Sequence, residues 1–180
     1  MELSKRKVKV IILSGKARSG KDLVANYIID YFKNKKVKKL SFAYYLKQYV
    51  KSISNWNGEE SLKPRKLLQN IGIDLIKNKI DNKLLIRRVL EDIEVYSYFY
   101  DVLVITDARL IDEVDDIKNM YKDSISIRIN RSIDNDLDDY EKNHITEVNL
   151  DNYNFDYIIN NDNIDDLQLS VKKVLEEIYE

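Results

Sequence analysis

The sequence predicts an α/β fold in three layers: a mostly parallel five-stranded sheet with helices on both faces and a short lid. Three observations carry this. Apolar runs of strand length alternate with stretches of helical period, the pattern of a parallel sheet covered on both faces. The first strand-length stretch, the β-rich run Val8–Leu13, ends in a glycine loop that opens a helix. The last stretch, "IDDLQLSVKKVLEEIYE", is amphipathic at helical spacing and closes the chain.

Taken in order, Val8–Leu13 is a short β-rich run and reads as a central strand. After Gly20, the residues Leu23, Val24, Tyr27, Ile28 and Tyr31 recur at three and four and give a helix one apolar face. Val37–Phe42 reads as a second strand, and "AYYLKQYVKSI" as a helix. "NWNGEESLKP" is a polar break with turn chemistry. Pro64 suits a first helical turn, so "RKLLQNIGIDLIKNKI" is expected to be helical. "DNKLLIRRVLEDI" follows with Asp81 or Asn82 as its cap. "DVLVITDARL" is an apolar strand stopping at a polar triplet, "LIDEVDDIKN" a helix and "SISIRIN" an alternating strand. Residues 131–143 are acidic and aperiodic and read as a loop, and "FDYIIN" is a short last strand. No repeat or linker divides the chain, so residues 1–180 are expected to form one domain.

The composition excludes several functions. The formal net charge is -1 and no basic stripe stands out, which argues against nucleic-acid binding. There is no cysteine, so thiolate chemistry and disulfides are out, and a reducing cytoplasm is compatible. No apolar run reaches the roughly 18 residues of a membrane span. A cytoplasmic protein with no membrane partner is therefore expected. With only 4 Gly and 1 Pro, each of these residues carries weight.

In such sheets, ligands sit beyond the carboxyl ends of the strands. The first strand ends in Gly15-Lys16-Ala17-Arg18-Ser19-Gly20-Lys21-Asp22, which fits G-x-x-x-x-G-K. Glycines let the backbone curl so that its N–H groups point inward, and the helix adds its positive end. Lys21 can reach the outer phosphates as a point charge. The loop ends in Asp22 where Ser or Thr usually holds Mg²⁺. A carboxylate is also a hard oxygen ligand, able to hold that ion directly or through water. The bland alternative is a plain strand–turn–helix connection.

Asp107 stands at the tip of the apolar strand, where an acid can hold Mg²⁺ through water or take a hydrogen bond from an acceptor. Arg109 could grip a phosphate with its fork. Their bland alternative is a helix cap and a surface ion pair. Arg65 and Gln69 share a helix face and could hold an acceptor's phosphate and base edge. Their bland alternative is a surface Arg and Gln, and Lys47, about one helical turn after the second strand, reads on its own as a solvated lysine. His144, the sole histidine, reads as structural, anchoring the loop end with Glu147. Most of the 13 Tyr and 4 Phe belong to core and rim, with one or two rings able to stack on a base.

"GKARSGKD", "FAYYLK", "RKLLQNIG", "ITDARLIDE" and "HITEVNLDNYNFDYIINND" come in this order. Together they resemble the deoxynucleoside monophosphate kinases of tailed bacteriophages, which are P-loop kinases. The resemblance implies the three-layer P-loop kinase fold and transfer of the γ-phosphoryl of ATP to a deoxynucleoside 5'-monophosphate (dNMP), with Mg²⁺. It puts Gly15–Asp22 on the ATP phosphates and Asn161 near the adenine side. Lys47, Arg65, Gln69, Asp107 and Arg109 face the acceptor, and Asp22 and Asp107 the metal. It implies a helical acceptor-binding insert at about residues 55–95 and a lid at about 131–146. It also admits a homodimer, and a host-cytoplasm location for a phage-encoded protein. Two departures stand out. Ile73, Asp74 and Lys77 replace the family's Thr-Glu and Arg after "LLQNIG". The lid is acidic, with Asp134, Asp136, Asp138, Asp139 and Glu141, so the catalytic cations beside Lys21 are expected from Arg131, Arg128 or Arg18, with Arg18 and Arg131 preferred. Two rival expectations remain: a kinase of another phosphorylated small molecule, such as the phosphomevalonate kinase type, and a nucleotide-binding regulatory protein with little turnover.

Overall fold

The computed structural model describes residues 4–59, 64–132 and 142–179. Strands β1 (Lys9–Ser14), β2 (Val37–Leu40), β3 (Val102–Ala108), β4 (Ile125–Asn130) and β5 (Tyr157–Asn160) form one sheet. Its order is β2-β3-β1-β4-β5, and each neighbouring pair is parallel. The expected α/β architecture is thus present, with all five strands parallel.

The helices are α1 (Lys21–Tyr31), α2 (Phe42–Ile53), α3 (Arg65–Gln69), α4 (Leu84–Tyr96), α5 (Ile111–Met120), α6 (Ile145–Val148) and α7 (Ile164–Tyr179). They cover both faces. Val10 and Ile12 of β1 point into one core with Leu103, Ile105, Ile93 and Ile117. Ile11 and Leu13 point into the other with Val24, Ile28, Leu167 and Leu175. A strand buried on both sides has no polar face, which is why Val10–Leu13 reads as one apolar run. A third, smaller cluster joins Val50, Trp56, Leu68, Ile71 and Ile76 and holds the helical annex together.

Three local details differ from the sequence reading. β2 ends at Leu40, and Phe42 opens α2, because polar groups at Ser41 and Asp107 cap a helix there. The stretch after α3 is helical as expected but winds as a π-helix over Asn70–Ile80, with Asp81 N donating to Ile76 O at 2.8 Å. Its apolar spacing cannot announce this, since a period near 3.6 and a wider turn share most contacts. Asp81 accepts from Lys83 N at 2.9 Å, so it orders the turn before α4, whose first residue is Leu84. Helix α6 arises where the sequence has no clear period. Asp134, Asp136, Asp138, Asp139 and Glu141, expected to form an acidic lid, lie outside the described residues. Among the described residues no helix is long and apolar enough to cross a membrane.

Candidate active site

The chain leaves β1 toward β2 on one side and later adds β4 on the other. The carboxyl end of β1 is therefore the sheet's switch point, and the glycine loop sits there. Gly20 has φ 98°, a left-handed conformation, and a Cβ on it would lie 2.3 Å from Asn161 Nδ2. At Gly15 a Cβ would lie 2.4 Å from Ser19 Oγ and 2.5 Å from Ile129 O. Gly15 is thus required by close approach to backbone, and Gly20 by its left-handed conformation. Arg18 also takes a left-handed φ of 62°, which sharpens the curl.

Lys21 folds back over the loop, donating from Nζ to Gly15 O and Lys16 O at 2.8 Å each. Burial pushes its ammonium down to about 7, and Arg109 adds to this, while Glu147, Asp107 and Asp22 oppose it. Asn161 is 1% exposed and donates to Ser19 O at 2.9 Å, so it braces the back of the loop. Arg131 donates to Arg18 O at 3.4 Å, beside the loop and at the base of the expected lid. Lys16 pairs with Asp151 at 2.9 Å. Asp151 also pairs with the buried Arg128, which donates to Ser14 Oγ at 3.1 Å. Arg128 is thereby committed behind the loop.

A cleft of about 530 Å³ opens in front of the loop. It brings together Ala17, Arg18, Lys21, Asp22, Lys47, Arg65, Gln69, Asp107 and Arg109. Gly15, Lys16, Ser19, Gly20, Arg131 and Asn161 lie outside its lining, in or around the loop. Its far wall is apolar, with Leu46, Leu68, Ile76 and Ile86. Ile73 and Lys77, two of the departures from the family pattern, line it as well, and Lys77 is paired with Asp112. Gln69 presents a buried Oε1 with no hydrogen-bond partner.

The strand-end acids have structural partners. Asp107 Oδ2 accepts from Ser41 Oγ at 2.7 Å and from Ala43 N at 2.9 Å, while Oδ1 accepts from Phe42 N at 2.9 Å. It caps α2, a helix distant in sequence, so no local pattern marks the role. Arg109 pairs through Nη1 with Glu147 Oε1 at 2.7 Å, and Glu147 Oε2 accepts from Ala17 N at 2.9 Å. Glu113 Oε2 accepts from Arg109 N at 2.7 Å and Leu110 N at 3.0 Å. Burial drives the Glu113 carboxyl up to about 8. Sequence reasoning passed over Glu113, although it stands four residues after Arg109, and gave Glu147 a different task. His144 turns its Nδ1 to Thr146, with Oγ1 at 2.8 Å, so it anchors the loop end through Thr146. Burial lowers its pKa.

Mg²⁺ in such kinases is held by one or two carboxylates together with substrate phosphates and water. Asp22 is exposed, in the cleft and in the first turn of α1, which fits that donor set. Asp107 already receives three hydrogen bonds, leaving it lone-pair capacity for one water. Among the described residues no group of three or more ligating side chains could hold a metal unaided.

The fold is shared widely. The APS kinase of Mycobacterium tuberculosis in complex with AMPPNP and APS is 15% identical, with a TM-score of 0.57 over 95% of this chain and 99% of that one. The shikimate kinase of Bacteroides thetaiotaomicron is 13% identical, with a TM-score of 0.51 over 95% of this chain and 98% of that one. TT1252 from Thermus thermophilus is 12% identical, with a TM-score of 0.56 over 96% and 99%. Such identities show a shared kinase fold. No curated protein matches the chain. The family model for deoxynucleotide monophosphate kinase matches residues 38–171, beginning beyond the glycine loop. With that match spanning well over half its length, the chain belongs to the deoxynucleotide monophosphate kinase family, the ATP-dependent nucleotide kinases.

Proposed function

We propose that the protein transfers the γ-phosphoryl of ATP to a deoxynucleoside 5'-monophosphate, giving a deoxynucleoside diphosphate and ADP. The observation that carries this is the single cleft holding Lys21 of the loop at one end and Arg65, Gln69 and Arg109 at the other. Donor phosphates bind the loop amides and Lys21, with Asn161 bracing the loop toward the adenine side. Arg65 and Arg109 grip the acceptor phosphate. Gln69, with its unpartnered buried oxygen, accepts from a donor on the base edge. Lys47 adds charge on the same side, and the apolar wall takes the base face. The insert at about 55–95 is then the acceptor platform, and residues 131–146 the lid that excludes water.

An acceptor phosphate oxygen forms a bond to the γ-phosphorus as the bond from that phosphorus to the β–γ bridging oxygen breaks. A nucleoside monophosphate is mostly dianionic near neutral pH, so no general base is needed. Catalysis rests on alignment and on cations, namely Lys21, Arg18 and Arg131. Mg²⁺ bound to ATP would lie against Asp22, and against Asp107 through water, where it supplies neutralisation of the phosphate charge.

The test is ADP release with ATP and Mg²⁺ across the four dNMPs, their ribonucleotides and mevalonate phosphate. Stimulation by at least one dNMP above all other acceptors is expected. Equal release without acceptor, or stronger stimulation by mevalonate phosphate, refutes the proposal.

A further inference from the structure

The phosphate-binding loop and the acceptor-side arginine belong to different elements, yet in-line transfer needs their spacing fixed. A misplacement of about 1 Å can cost ~10²-fold in rate. One side chain joins them. Glu147 gives one oxygen to Ala17 N of the loop at 2.9 Å and the other to Arg109 Nη1 at 2.7 Å. Its side chain is 8% exposed, against 24% for Arg109. The partners lie 130 and 38 residues away in sequence, so this is no local turn.

The segment that carries Glu147 is itself pinned by contacts other than those to Ala17 and Arg109. His144 caps α6 through Thr146 N. Asn149 Oδ1 accepts from Ile111 N at 2.8 Å. Leu150 is buried, and Asp151 pairs with both Arg128 and Lys16. Glu147 is thus held by contacts of its own segment as well as by Ala17 and Arg109. Arg109 is in turn fixed at both ends, its backbone N–H by Glu113 and its guanidinium by Glu147.

A carboxylate here has the wrong sign for binding phosphates. It lowers the pull of Arg109 on an anion, so any benefit must come from orientation. We infer that Glu147 is a positioning residue, which sets the distance and orientation of Arg109 relative to the donor loop. The inference rests on Arg109 gripping the acceptor phosphate.

The predicted signature separates turnover from affinity. In Glu147→Gln the amide oxygen can still accept from Ala17 N, but its NH₂ then faces the Arg109 donors. The kcat with a dNMP is expected to fall about tenfold to a hundredfold, and the acceptor KM is expected to hold steady or fall, because a negative charge has left. Arg109→Ala should raise acceptor KM and lower kcat. In that background Glu147→Gln should change kcat by less than about twofold, since a residue acting through another loses its effect when that one is gone. Glu147→Asp keeps the charge but is too short to span both partners. It should repeat the kcat loss and stands in if the Gln variant does not fold, with thermal unfolding as the check.

The inference is overturned by unchanged kcat in both variants. It is also overturned by a raised acceptor KM at unchanged kcat, or by a kcat loss that persists in full beside Arg109→Ala. A different result, Arg109→Ala with normal acceptor use, would remove the reading of Arg109 itself and with it the basis for Glu147.

Discussion

The two ends of the cleft are built by different means. At the proposed donor end the backbone itself is offered as the binding group, shaped by Gly15, Gly20 and the left-handed Arg18, with Lys21 laid over it. At the proposed acceptor end side chains project from α2, α3, the π-wound segment and the turn after β3, and Arg109 among them is aimed by Glu147, 38 residues away in sequence. A backbone site is rigid and generic and suits any phosphate chain. A side-chain site can be retuned one residue at a time.

The largest effect is expected at the donor end. On the proposed mechanism, Lys21→Ala removes the half-buried amino group that follows the moving charge. Loss of one such group costs about 10²–10³ in kcat. Steady-state kinetics should show that loss, with the thermal unfolding midpoint within a few degrees of the parent. Near-normal turnover would place the catalytic cation elsewhere, on Arg18 or Arg131.

Gly20→Ala tests whether the backbone shape is what binds. The added Cβ meets Asn161 Nδ2 at 2.3 Å on a residue with φ 98°. The left-handed conformation alone costs about 1–2 kcal/mol. Calorimetric binding of AMPPNP is expected to weaken about tenfold, in line with ~1.4 kcal/mol. Acceptor-side variants such as Arg109→Ala should leave that affinity nearly unchanged. An AMPPNP affinity that drops equally in both would erase the distinction between the two ends.

The same contrast explains how much could be read in advance. The loop was legible because its requirements are local: two glycines, a lysine, a strand before and a helix after, all within a few turns of chain. The sheet was legible because both faces of β1 and β3 are buried and leave unbroken apolar runs. The acceptor side hides its logic in long-range pairs. Nothing near Asp107 announces that its oxygens close the start of α2, and nothing near Glu147 announces Ala17 and Arg109. The π winding of Asn70–Ile80 was equally silent, since the residues that turn inward change only by degrees.

Asp107→Asn sharpens the comparison at smaller scale. The amide would retain one acceptor oxygen against the donors Ser41 Oγ, Phe42 N and Ala43 N. A lost helix cap costs about 1 kcal/mol. Chemical denaturation should report that loss with kcat reduced less than about tenfold. A kcat fall of over about a hundredfold at unchanged stability would make Asp107 chemical first and structural second.

The smallest effect concerns Glu113, and its sign is fixed by proton linkage. In the folded protein its carboxyl titrates near 8, because burial disfavours the charge, while the unfolded chain releases that proton near the ordinary value of 4.5. Between those two values the native state holds a proton that the unfolded state has lost, so stability falls as pH rises through that window. Above about 8 both states are charged and the loss levels off. Glu113→Gln keeps an oxygen for Arg109 N and Leu110 N and removes the titration. Its melting temperature should match the parent near pH 5 and rise above it progressively toward pH 8. A gap that stays constant across that range would mean that Glu113 is charged in the folded state. The two backbone donors would then outweigh burial, and Arg109 would be held by an ionised carboxylate at each end.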